Sequence, residues 1–182
     1  MKSLQRGFTL LELMVTIAIV GIVAVIALWD SSDMLESDRA ESYLLELKST
    51  LSFARAKATS SDELVIVCAG DTESIEQNKS IFCSRDWSLG SIFVFVDKSP
   101  NGTFNPGQGD IILRVMEEIP NNSSLSFSGA RVIRFETSGM IRTDPGTFVY
   151  CPSSSNNDNN KALSISQSGT AMYEGTTTKT CN

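Results

Sequence analysis

The chain has 182 residues, 41% hydrophobic and 20% charged, which suits one compact domain plus an N-terminal element and excludes wholesale disorder. A net charge of −6 gives no global basic field for nucleic acid, and the lack of any histidine removes the commonest general acid–base and metal ligand. Four cysteines read as two disulfides formed outside the reducing cytoplasm.

Met1–Gly7 is short and polar, with Lys2 and Arg6. An apolar run then extends from Phe8 to Trp29, 22 residues with a single charge, Glu12. At 1.5 Å per residue such a helix spans about 33 Å, against a bilayer core of roughly 30 Å. The basic residues ahead of it hold the N-terminus on the cytoplasmic side, so the chain beyond Trp29 is expected outside. A secretory signal would close on a small-residue cleavage site, for which Ala27-Leu28-Trp29 is a poor candidate; the polar-to-apolar switch falls at Gly7/Phe8. A carboxylate this far into a span costs about 2.5–3.5 kcal/mol on insertion scales and calls for a partner.

The order Gly7-Phe8-Thr9-Leu10-Leu11-Glu12-Leu13 resembles the N-terminus of type IV prepilins. The resemblance implies that prepilin peptidase cuts between Gly7 and Phe8 and N-methylates Phe8. It implies that Glu12, fifth in the mature chain, pairs with an N-terminal amine during filament assembly. Residues 1–7 are then a leader and 8–29 a transmembrane helix. One departure is visible: many major pilins carry a helix-breaking proline near the membrane exit, where this chain has Trp29.

Downstream the pattern becomes amphipathic. Ala40, Tyr43, Leu44, Leu47, Leu51, Ala54 and Ala58 form one stripe at helical spacing, and no proline or glycine interrupts 30–60, which predicts a continuation of the helix. Asp33 with Glu36 three residues later predicts a recap and bend after Asp30-Ser31-Ser32.

From residue 61 to 182 the periodicity changes to short β-like runs: Leu64–Ala69, Ser80–Cys83, Ile92–Val96, Ile111–Met116, Leu125–Phe127, Val132–Thr137, Thr147–Cys151 and Leu163–Ser166. Asn101-Gly102, Pro106-Gly107, Ser138-Gly139 and Pro145-Gly146 supply turns between them. Ser153–Asn160 is polar and low in complexity, hence a loop. The sum is an α+β fold, a long N-terminal helix packed on an antiparallel β head. Within the head, Trp87-x-x-Gly90, Phe93-Val-Phe-Val-Asp97, Phe135-x-x-x-Gly139, Phe148-x-x-Cys151 and Leu163-Ser-Ile-Ser-x-x-Gly169 resemble the GspH/FimT-type minor pilins and pseudopilins.

Cys68, Cys83, Cys151 and Cys181 allow three pairings, of which the sequential one is simplest. Without a C-x-x-C or a histidine they make a poor metal set. The stretch from Asp97 through Asn101-Gly102 to Gln108 echoes a calcium loop at its first, third, fifth and sixth positions. Its twelfth position is Gln108 instead of glutamate, with Asp110 nearby, so a plain turn is the simpler reading. Arg114, Arg131, Arg134 and Arg142 are close in sequence and suggest a basic patch on one sheet; some competence-associated members of the family bind DNA. Their arginines lie after the last motif glycine, where this chain has Gly169-Thr170-Ala171-Met172-Tyr173, and loss of Lys2 and Arg6 lowers the charge from −6 to −8. Nucleic acid is therefore not an expected partner, and no cofactor or catalytic motif is read.

The resemblance implies a minor pilin that initiates or joins type IV pilus assembly, with a minor pseudopilin of a type II secretion system and, after it, a DNA-binding pilin for natural transformation as the alternatives. Its implied partners are other minor pilins, the major pilin, prepilin peptidase and the inner membrane, crossed once with the head in the periplasm.

Overall fold

The computed structural model describes residues 8–152 and 159–181, with backbone only for 26–33. The leader and most of the polar loop 153–160 lie outside the described residues. Helix α1 (Leu10–Ser61) is followed by strand β1 (Val65–Gly70), a short helix α2 (Thr72–Glu76), β2 (Ser91–Val96), a 3-10 turn at Pro106–Gln108 and β3 (Ile111–Val115). Strands β4 (Ser124–Phe127), β5 (Ile133–Phe135), β6 (Gly146–Cys151), β7 (Lys161–Ile165) and β8 (Ala171–Thr176) complete the chain. The α+β fold expected from the sequence is the one found.

Helix α1 runs through 30–33 without the expected recap. None of Asp30-Ser31-Ser32-Asp33 is glycine or proline, so continuing the helix costs only a few tenths of a kcal/mol per residue, roughly 0.7 at most. Two compact units divide the chain, 1–35 and 36–182. The described part of the first is essentially the N-terminal, apolar part of α1; the second is the head with the amphipathic part of α1.

The head holds two four-stranded antiparallel sheets, in the orders β3-β2-β1-β5 and β4-β6-β7-β8. The predicted helix stripe is the core seam: Ala40, Leu44, Leu47, Leu51, Ala54 and Ala58 are fully buried. They pack in one cluster with Val65, Val67 and Ala69 of β1, Ile92, Val94 and Val96 of β2, and Phe148, Tyr150 and Leu163 of the second sheet. The other face of β1 and β2 is also covered, because Ile66, Cys68, Phe93 and Phe95 form a second cluster with Ile75, Ile81 and Phe104 from the connections. Burial on both faces explains why β1 and β2 read as continuous apolar runs without alternation. Trp87 stands edge-on to Phe148 at 4.9 Å and to Phe127 at 5.4 Å.

Two points need correction. Ser80–Cys83 is not a strand: only Ile81 pairs, exchanging backbone hydrogen bonds with Phe104, and by Ser84 the backbone N–H has turned to Ala69 O at 2.8 Å. Strand β8 occupies the stretch after Gly169, where no strand is expected from the sequence, paired with β7 from Ile165↔Ala171 to Lys161↔Thr176. The disulfides follow the sequential pairing, Cys68–Cys83 and Cys151–Cys181, with Cα–Cα separations of 5.6 and 6.1 Å.

Candidate assembly site

The apolar end of α1 begins with a cap. Thr9 Oγ1 accepts from the Glu12 backbone N–H at 3.2 Å, and Thr9 O accepts from Leu13 N–H at 3.2 Å. Thr9 and Glu12 thus stand at the N-cap and third helical positions, a threonine–glutamate spacing that starts helices and sets a carboxylate at the positive helix end. Sequence reading singled out Glu12 for its charge and missed Thr9, although the T-x-x-E spacing was there to find. Among the described residues Glu12 makes no ion pair, and its side chain is exposed. Gly7, on the far side of the expected cut, lies outside the described residues.

Every described residue from Phe8 to Val25 is exposed, Phe8 by 82% and Val20 by 67%. A helix apolar all round, without a dry side of its own, is one that lipid or other helices cover. Counted over the described residues, no helix is long and apolar enough to cross a membrane. The 22-residue span read from the sequence takes in 26–29, whose side chains lie outside that count.

In the head, the loop from Asp97 to Asp110 folds on its own side chains. Asp97 Oδ2 accepts from Gly102 N–H at 2.9 Å, and Gly102 has a left-handed φ of 75°. Asn101 Oδ1 accepts from Thr103 N–H at 2.8 Å, and Asn105 Oδ1 from Gly107 N–H at 3.0 Å. Both Asp110 oxygens are engaged, by Lys98 N–H at 2.9 Å and Asn105 N–H at 2.8 Å. Asp97 and Asp110 are buried, at 3% and 5% exposure. The Lys98 ammonium is tied to Glu63, whose carboxyl is held below the usual carboxylate range first by that hydrogen bond. No group of three or more acidic or cysteine side chains suited to a metal occurs among the described residues.

The four arginines are not brought together. Arg114 lies opposite Val94, on the helix side of its sheet, and its Nη1 approaches Ser49 Oγ at 3.4 Å. Arg134 lies opposite Ile66, on the other face, since paired residues of an antiparallel ladder share a face. Arg142 pairs with Glu136 at 3.5 Å, and Arg131 is exposed in the bend before β5. The expected single basic patch therefore does not form: strand parity splits it across the sheet.

Burial also marks the seam between α1 and β6. The rings of Tyr43 and Tyr150 lie 5.4 Å apart, and the Tyr43 hydroxyl is raised above its ordinary range by burial, with Tyr150 and Glu46 adding to it. Tyr173 on β8 is pushed up to about 12 by burial and then by the Glu41 carboxylate on α1.

Residues 45–169 match the family described as Type II transport protein GspH, and residues 2–28 match the Prokaryotic N-terminal methylation motif. Type IV major fimbrial protein FimA of Dichelobacter nodosus is 68% identical over 28 residues, 15% of this chain. The chain spans only 18% of that relative's length. Two crystal forms of the type IV minor pilin FimU of Pseudomonas aeruginosa share the fold, at 19% identity and TM-scores of 0.52 and 0.55. They cover 74% and 78% of this chain, and 91% and 92% of their own.

Proposed function

The chain belongs to the GspH family, and from that premise we propose that it is a minor pilin that initiates or joins a type IV pilus. Prepilin peptidase cuts after Gly7 and methylates Phe8, a reading supported by the methylation motif over 2–28. The mature subunit waits in the inner membrane, anchored by its apolar helix, with the head in the periplasm. Glu12 then engages the N-terminal amine of a neighbouring subunit. At low dielectric an amine and a carboxylate attract strongly, while either one left alone is costly, so the pair selects the register between helices.

The observation that carries this reading is the exposed, all-round apolar start of α1 with one carboxylate, Glu12, that makes no ion pair among the described residues. A role in packing, with the head making lateral contacts, also suits a chain in which no catalytic constellation was read. A pseudopilin of a type II secretion system is the second reading, favoured by the family's own description as a type II transport protein. DNA capture gains nothing from arginines dispersed over two faces.

A deletion strain scored in parallel for surface pili and for secreted enzymes separates the two. Loss of pili with secretion intact is the expected result. Loss of secretion with pili intact assigns the subunit to the secretion machine and overturns the pilus reading.

A further inference from the structure

The Asp97–Asp110 loop carries a feature that its own hydrogen bonds do not resolve. Asp97 is 3% exposed, and its Oδ1 is buried without a hydrogen-bond partner. Buried carboxylate oxygens are otherwise paired or bound to a cation, because desolvating them alone is expensive. From this residue onward the sequence follows the order of a calcium loop: Asp97 first, Ser99 third, Asn101 fifth, Gly102 sixth and Thr103, whose carbonyl would serve, seventh. The sixth position must turn sharply, and Gly102 does so at φ 75° while donating to the other oxygen of Asp97. Asn101 Oδ1, bound to Thr103 N–H, keeps a second lone pair, as do both oxygens of Asp110.

We propose that this loop binds one calcium ion, with Asp97 Oδ1 as the leading ligand, Ser99, Asn101 and the Thr103 carbonyl beside it, and Asp110 in place of the missing twelfth-position acid. Oxygen ligands of this kind suit a hard cation, and only two of them are charged, which points to the weak affinities of extracellular modules, on the order of 10⁻⁴–10⁻³ M. Two cations of the protein lie close. The Lys98 ammonium is held by Glu63. The guanidinium of Arg134 stands over Gly102, where Nη2 lies 2.6 Å from the place a Cβ would occupy. Arg134 is the rival counter-charge for Asp97, and experiment decides between it and the ion.

The test is the melting temperature of the full chain in detergent, in chelator, calcium, magnesium and sodium at matched ionic strength. At about 10 mM calcium the proposal predicts a rise of roughly 3–10 °C, larger than with magnesium. Asp97→Asn removes the rise. Asn101→Ala, at an exposed position, weakens it and serves where Asp97→Asn folds poorly. No calcium effect in the unmutated chain overturns the proposal and leaves Arg134 as the sole counter-charge, as does a rise that persists in both variants or is matched by magnesium.

Discussion

The Cβ that any other residue would carry at position 169 falls 2.3 Å from the carbonyl oxygen of Gly139. The two glycines close different turns, after β5 and after β7, and both have positive φ, 78° and 76°. Arg55 of α1 packs against both, and its Nη1 donates to Thr170 Oγ1 at 3.1 Å. The glycine that ends each of these two sequence motifs thus marks one place where both sheets meet the helix.

Gly169→Ala tests that contact. The left-handed backbone alone costs about 1–3 kcal/mol without glycine, and the clash with Gly139 O is against backbone, which has little room to yield. The melting temperature of the full chain is expected to fall by roughly 2–12 °C for that backbone cost. An unchanged melting temperature contradicts the packing described.

The core seam on α1 predicts a contrast between neighbours. Leu47 is fully buried, and Leu47→Ala is expected to cost about 2–5 kcal/mol. Leu45, two residues earlier and 43% exposed, should tolerate alanine within about 0.5 kcal/mol. Denaturant titrations of the two variants read the difference directly.

Breaking the Cys151–Cys181 bridge by a double serine substitution frees a chain segment with a sequence separation of 30. In the chain-entropy view its loss costs about 3–4 kcal/mol. Proteolysis is the sharper readout: cleavage beyond β8 should appear in the variant and not in the oxidised parent.

Acid stability follows from Glu63 and Asp71. Glu63 is held low by Lys98, and Asp71 by Ser74, whose backbone N–H it caps at 2.8 Å. Both carboxyls titrate lower folded than unfolded, so their contribution is present above their ordinary values of 4.5 and 3.8 and is lost as pH falls through the folded ones. Lys98→Met should flatten the loss of stability below about pH 4.5, measured by melting across pH.

Much of this was legible in the sequence, for identifiable reasons. The α1 stripe showed because six buried positions repeat at helical spacing over a stretch free of glycine and proline. Most strands showed as apolar runs between turn residues. Strand β8 did not, since Met172, Glu174 and Thr176 face solvent on an edge strand and Gly175 interrupts the run. The five-residue α2 was too short for any period. The arginine patch failed because closeness in sequence carries no information about strand parity: Arg114 and Arg134 are set on opposite faces by pairing with Val94 and Ile66. At the candidate assembly site, the carboxylate was legible as a lone charge in an apolar run, and the Thr9 cap was legible in the T-x-x-E spacing but overshadowed by that charge.

The most direct test of the assembly account is Glu12→Ala in the full chain, followed through processing and into sheared filaments. Cleavage after Gly7 and membrane retention should stay normal, while recovery in filaments falls roughly tenfold or more, as expected when one partner of a desolvated charge pair is removed. Incorporation at the parental level would contradict the role given to Glu12.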